Sequence, residues 1–198
     1  IASGHRIEDA VARSIAASQD AVGRLHVAGR KILRSTAKPT DGIVSRHINR
    51  PISQAISSLA LRIPGFLPVH ATIGTALIAI VMFACLLLGG EWGLIAGALL
   101  FQAASIFDGV DGEMSRATWR TSPEGARMDS LTDAATNLAF LLGVALNLQM
   151  QDRIIGARLG YTGLVLLAMG LFLIGRASAR SNAPFSFDLV KEHYRAKG

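Results

Sequence analysis

The stretch ATIGTALIAIVMFACLLLGG, residues 71–90, runs for twenty residues without one charged side chain. A helix of that length rises about 30 Å, the thickness of a bilayer's hydrocarbon layer, where a lone segment can satisfy its backbone only as a helix. The stretch predicts a membrane-spanning helix. Three more apolar stretches follow. Residues 92–107, WGLIAGALLFQAASIF, are slightly short and must continue into the acidic residues after them to complete a crossing. Residues 134–151 and 159–175 supply a third and a fourth span. With their polar ends the spans are expected at 68–90, 92–117, 125–150 and 155–178, giving an all-α, polytopic membrane helix bundle. Gly93/Gly97 and Gly156/Gly160 are small-xxx-small pairs that permit close helix approach.

The composition agrees. Of 198 residues, 51% are hydrophobic and 17% charged, against roughly 25% charged in soluble domains. The net charge of +6 would suit nucleic acid, an anionic membrane surface or a phosphorylated substrate equally. Its distribution among apolar spans favours the membrane, and no nucleic-acid partner is expected. The single cysteine, Cys85, lies inside a span and has packing or lipid contact as its role. No signal peptide is visible, and the first residue is Ile1.

Lys and Arg set the orientation. They are frequent through Arg62, recur at Arg116, Arg120 and Arg127, and return at Arg176, Arg180, Lys191, Arg195 and Lys197. The opposite side has only Arg153 and Arg158. Both termini and the segment between spans two and three are therefore expected on the cytoplasmic side of the cell's inner, cytoplasmic membrane.

Residues 1–40 read as a cytoplasmic helical appendage, the end of a preceding domain, broken by Pro39 and Gly42. Over residues 41–66, Val44, Ile48, Ile52, Ile56, Leu59 and Ile63 recur at intervals of four and three and gather on one helical face. Arg46, Arg50 and Arg62 supply positive charge, so the segment predicts an interfacial amphipathic helix on a phospholipid surface, kinked or restarted at Pro51. Residues 181–198 are a cytoplasmic tail or the start of a further span.

Between spans two and three lies FDGVDGEMSRATWRTSPEGARMDSLTD, residues 107–133. Asp108 and Asp111 are three apart and Asp129 and Asp133 four apart, so each pair shares a helical face, and two antiparallel helices can bring the faces together. Four carboxylates at membrane depth lose hydration and repel one another. Protonation, pairing with Arg116 or Arg127, or binding of hard cations would relieve this. Oxygen-only donors without nearby His or Cys favour Mg²⁺, Mn²⁺ or Ca²⁺, and two divalent ions would offset the four charges and attract phosphates. Gly109 and Gly112 are expected to let a ligand approach the backbone beside the aspartates, and Gly125 marks the loop-to-helix junction. Arg116 suits a phosphate through its planar fork.

These residues resemble the signature of the CDP-alcohol phosphotransferases, D-x2-D-G-x2-A-R-x8-G-x3-D-x3-D. Here it reads Asp108, Asp111, Gly112, Ser115, Arg116, Gly125, Asp129 and Asp133, with Ser115 where the family usually has Ala. The resemblance extends to the layout, a cytoplasmic amphipathic helix followed by membrane helices with the motif across the second and third. It implies that Asp108, Asp111 and Asp129 ligate two metal ions, Mg²⁺ or Mn²⁺, with Asp133 near the second. Asp133 would also be the base that deprotonates the acceptor hydroxyl. It implies that Gly112 and Arg116 contact the CDP moiety, that a CDP-linked alcohol donates to a hydroxyl acceptor with release of CMP, and that the protein is a homodimer surrounded by membrane lipid. The family tends to carry P-N-x-x-T before the first span. The present PVHAT keeps Pro68 and Thr72 but has Val69, leaving Thr72 as a candidate nucleotide contact.

The family usually has six membrane helices and this sequence shows four. KPTDGIVSRHINRPIS, residues 38–53, looks like the linker before the membrane domain of di-myo-inositol phosphate phosphate synthases, which often follow a fused cytidylyltransferase domain. In that setting Arg46, His47 and Arg50 are expected at lipid headgroups, with an acceptor phosphate as the alternative. The competing functions are a divalent-cation transporter and an inactive membrane subunit. A transporter needs polar residues along a whole path, whereas Gln102, Ser105, Thr136 and Asn137 all cluster near the motif.

Overall fold

The structure, a computed structural model, describes residues 14–15, 18–21, 24, 27–37 and 42–181. The expected break at Pro39 and the tail beyond Ser181 lie outside the described residues. Among the described residues there is no strand. Five helices follow one another from residue 50: α1 (Arg50–Ala60), α2 (Pro68–Leu88), α3 (Gly90–Ala117), α4 (Pro123–Met150) and α5 (Ile154–Ser181). The last four are long and apolar enough to cross a membrane, which makes the chain the all-α, multi-pass bundle its hydropathy called for. Helix α2 packs chiefly on α3, α4 lies against both, α5 leans on α4, and α1 crosses α3.

A π-turn over Ser45–Asn49 leads into α1, with the N–H of Arg50 reaching back to the carbonyl of Ser45. Pro51 follows the π-turn, at the second residue of α1. The helix buries Ser53, Ser57 and Ala60 and exposes Ile52 and Leu59. Ile52 and Leu59 thus point away from the protein, while Ser53 and Ser57 pack inward with Ala60 and, in part, Ile56.

Gly65, at φ +80°, turns the chain into α2. There Pro68 takes the first helical position and the N–H of Leu67 donates to His70 Nδ1 at 2.9 Å. The hairpin between α2 and α3 is tight because Gly93 has no side chain: a Cβ there would fall 2.3 Å from the carbonyl oxygen of Cys85. Asn147, buried on α4, ties this hairpin down by donating to the carbonyls of Leu86 (2.6 Å) and Gly90 (2.9 Å). At the same end Arg153 and Glu91 form an exposed ion pair at 3.4 Å. At the opposite end α3 closes with Trp119 at φ +57° and the N–H of Arg120 bonded to the carbonyl of Ser115. Ser122 then caps α4, accepting from the N–H of Gly125 at 3.0 Å, with Pro123 as first residue.

Ala60, Ala71, Val110 and Met114, flanked by Ile56, Phe66 and Phe107, form a core that joins α1, α2 and α3 at this second end. Phe101 stacks on Phe140 between α3 and α4, with ring centroids 4.2 Å apart. This part of the core lies around the acidic segment, while Met82, Leu86 and Ala145 are buried toward the other end.

Candidate active site

The last turns of α3 carry Asp108 and Asp111, and the first turns of α4 carry Asp129 and Asp133. The helices run antiparallel across the short 118–122 connection, so the two pairs face each other. The carboxyl of Asp108 meets those of Asp129, Asp133 and Asp111, and Asp111 also meets Asp129. All four converge.

Each pair has a neutral hydrogen-bonding partner. Thr72 of α2 donates its hydroxyl to Asp111 Oδ2 at 2.6 Å. Asn137 Nδ2 donates to Asp133 Oδ1 at 2.8 Å, one turn along the same helix. The other oxygen of Asp111 is buried and has no partner. A buried acceptor left empty is costly and requires an explanation, and a cation supplies one. Among the described residues no three His, Cys, Asp or Glu side chains already close around a single point. Even so, the donor set is all oxygen, is anionic and includes the orphaned Asp111 Oδ1, which fits a hard divalent ion.

Two spaces open on different sides of the quartet. A cleft of about 350 Å³ is lined by Thr72, Asp111, Gly112, Arg116, Arg120 and Asp129, with Val69, Ser115 and Gly125 at its edges. It is a polar-rimmed groove with two arginines beside two carboxylates, suited to a ligand carrying phosphates. A smaller cavity of about 40 Å³ lies behind, between Thr75, Ser105, Asp108, Asp133, Thr136 and Asn137. Asp111 and Asp129 thus face the cleft, and Asp108 and Asp133 the inner cavity.

Gly112 and Gly109 have different neighbours. A Cβ on Gly112 would meet the guanidinium of Arg116 at 3.0 Å, so its bareness makes room for Arg116 at the cleft. Arg116 Nε donates to the carbonyl of Thr36 at 3.0 Å, which brings the helical residues 27–35 and their following turn over this end of α3. Gly109, expected beside a ligand, does not line this cleft. Its missing Cβ would lie 3.3 Å from Ser53 Cβ and Oγ, so this glycine lets α1 approach α3.

Arg50 likewise departs from expectation. It turns inward instead of facing headgroups, with Nη1 3.0 Å from Glu113 Oε1 and a side chain only 12% exposed. Glu113, fully buried, also accepts from Ser53 Oγ on Oε1 and from Ser57 Oγ on Oε2, both at 2.7 Å. The sequence reading passed over Glu113. The available signal was the stripe Arg50, Ser53, Ser57, at i, i+3 and i+7 on the face of α1 opposite its apolar residues, a face that needed a polar partner.

The fold and site together are those of a multi-pass α-helical membrane protein whose helices gather four carboxylates beside an arginine-bearing cleft. Residues 66–187 match the CDP-alcohol phosphatidyltransferase family, and the chain belongs to it. Among its relatives is a bifunctional IPC transferase and DIPP synthase of Thermococcus kodakarensis, 32% identical over 166 residues, covering 83% of this chain and 36% of that protein. Proteins with the same name from Aquifex aeolicus (37% identical, 55% of this chain, 24% of that protein) and Rubrobacter xylanophilus (33%, 80% and 34%) are also similar. The chain spans about a third or less of the length of these curated relatives.

Proposed function

We propose that this chain transfers a substituted phosphate from a CDP-linked alcohol to the hydroxyl of a second alcohol, releasing CMP. The observation that carries the reading is the convergence of Asp108, Asp111, Asp129 and Asp133 at the wall of a cleft that also holds Arg116 and Arg120. The relatives' name, DIPP synthase, supports an inositol-containing donor and acceptor. Transport is less well supported, because the four carboxylates gather at one end of the bundle.

In this reading Asp108, Asp111 and Asp129 would hold two divalent ions, Mg²⁺ or Mn²⁺, with Asp133 beside the second; when bound, these ions supply Lewis-acid polarisation of the pyrophosphate. Gly112, Arg116 and Thr72 contact the CDP moiety, with Arg116 binding phosphate oxygens through its fork. The acceptor oxygen attacks the phosphorus that bears the donor alcohol and forms a new P–O bond. The P–O bond to the bridging oxygen breaks, and that oxygen leaves with CMP. Asp133 takes the acceptor's proton, its carboxylate fixed in orientation by Asn137.

Arginine distribution supports a cytoplasmic N-terminus and site, in the cell's cytoplasmic membrane. The outward apolar face of α1, with Ile48, Ile52 and Leu59 exposed, supports its lying on the lipid surface. We take the working form to be a homodimer in lipid; helix α5 leaves Leu166, Phe172 and Leu173 exposed for lipid or further helices.

The test is CMP release in detergent with Mg²⁺ or Mn²⁺, from CDP-inositol with inositol phosphate and from CDP-diacylglycerol with a panel of alcohols. Asp133→Asn is expected to lower the rate about 10²–10⁴-fold, the range for loss of a general base. Undiminished release by that variant would refute the base, and no release by the wild type from any CDP-alcohol would refute the activity.

A further inference from the structure

We infer that Glu113 is a positioning residue of this site: held by Arg50, Ser53 and Ser57, it locks the rotation and depth of the helix end that carries Asp108 and Asp111. The inference rests on the proposed phosphotransfer, whose carboxylates it orients, and it concerns a residue that touches neither substrate nor metal.

Glu113 follows Asp111 by two residues, about 200° around a helix of 3.6 residues per turn, so it lies on the back of α3 relative to the site. There it is 0% exposed and all three of its hydrogen bonds come from one helix, α1. The contact is one part of a longer polar seam. Gln102 donates to Asn49 at 2.6 Å and Asn49 donates to Ser105 at 3.1 Å, two to three turns along α3 from Glu113. Gly109, between them, is bare where Ser53 presses on it. On α3 the seam therefore runs through Gln102, Ser105, Gly109 and Glu113 on one stripe.

Adhesion alone does not account for this chemistry. Ala60, Val110 and Met114 already supply an apolar contact between α1 and α3, and a buried ion pair adds little net stability over apolar side chains of the same volume. What a satisfied buried polar network adds is a single register, because any slide or rotation leaves a carboxylate or guanidinium without partners. The register fixed here is that of the half of α3 bearing Asp108 and Asp111. Thr72 and the carboxylates of α4 approach from the other side. Helix α3 is thus clamped between a back-side lock and the front-side site.

The experiment uses the full chain in detergent, with Glu113→Gln as the main variant, Gly109→Ala as a second and Ile52→Ala on the outer face of α1 as the control. Gln keeps the shape of Glu113 but removes its charge pairing with Arg50. In Gly109→Ala the new methyl would lie 3.3 Å from Ser53 Cβ and Oγ, tight enough that Ser53 or α1 must shift slightly. Folding is monitored by thermal unfolding, Mn²⁺ binding by electron paramagnetic resonance titration, and turnover by CMP release. For the folded Glu113→Gln and Gly109→Ala proteins we expect Mn²⁺ affinity and kcat to fall about 10–100-fold, with KM for the CDP donor unchanged within about twofold. The control should match the wild type. Wild-type Mn²⁺ affinity and kcat in folded Glu113→Gln would overturn the inference, as would losses that merely track the unfolded fraction. If Glu113→Gln does not fold, Gly109→Ala decides on the same criteria. Should the wild type release no CMP, the activity reading fails while the Mn²⁺ titration still judges the lock.

Discussion

A hydroxyl 2.6 Å from Asp111 Oδ2 holds one oxygen of that carboxylate, while the other, buried, has no protein partner. Thr72 therefore aims the free oxygen, and removing the hydroxyl should loosen the ligand without emptying the site. Thr72→Val is expected to weaken Mn²⁺ binding about 10–100-fold, the usual cost of losing a group that orients a metal ligand, as read by paramagnetic resonance titration. Single residues also mark the limit of reading from sequence. The aspartates were legible because their spacings of three and four are the helix's own period, so shared faces follow from the numbers alone. Glu113 was not, since its partners Arg50, Ser53 and Ser57 lie about sixty residues away and nothing local separates it from a solvated helix-end charge. Gly109 and Gly112 look alike in sequence, yet one serves the approach of α1 and the other makes room for Arg116.

Helix α4 begins at a cap, and the cap aims the carboxylates. Ser122 accepts the N–H of Gly125 and starts the helix about two turns before Asp129 and about three before Asp133. Ser122→Ala should cost about 1 kcal/mol, seen as a lower thermal midpoint in detergent, with a larger loss of turnover than that destabilisation accounts for. Helix α1 shows how far periodicity reaches. Its apolar recurrence was legible, but the recurrence says only that two faces differ, not which one the protein uses. The packed face carries Arg50, Ser53 and Ser57, because α3 offers Glu113 to meet them, and Gln102 and Ser105 to meet Asn49 just before the helix. Arg50→Ala, which leaves the buried carboxylate of Glu113 without its charge partner, should destabilise the protein by about 3–5 kcal/mol in denaturant titration.

At the scale of the molecule the carboxylate quartet and the arginines beside it lie at one end of the bundle. The α2–α3 and α4–α5 turns share the other end, joined by Glu91 and Arg153, while the 118–122 connection and α1 lie at the site. Because Cys85 is the only cysteine, topology is accessible to labelling on a Cys85→Ala background. Ser122→Cys should react with an impermeant maleimide only from the cytoplasmic side, and Asp152→Cys only from the opposite side. The four spans were legible because an apolar run about 20 residues long leaves a bilayer one backbone solution. The segments that dress the site, residues 27–37 and α1, were legible only as helices. Their placement depends on long-range contacts such as Arg116 to Thr36 that no local pattern encodes.

The quartet's role as a cation cage is tested most directly by counting the ions it binds. Titration of the detergent-purified chain with Mn²⁺ is expected to saturate at two ions per chain, with binding lost or halved in Asp129→Asn. A wild-type trace with no saturable binding, or binding that Asp129→Asn leaves intact, would contradict it.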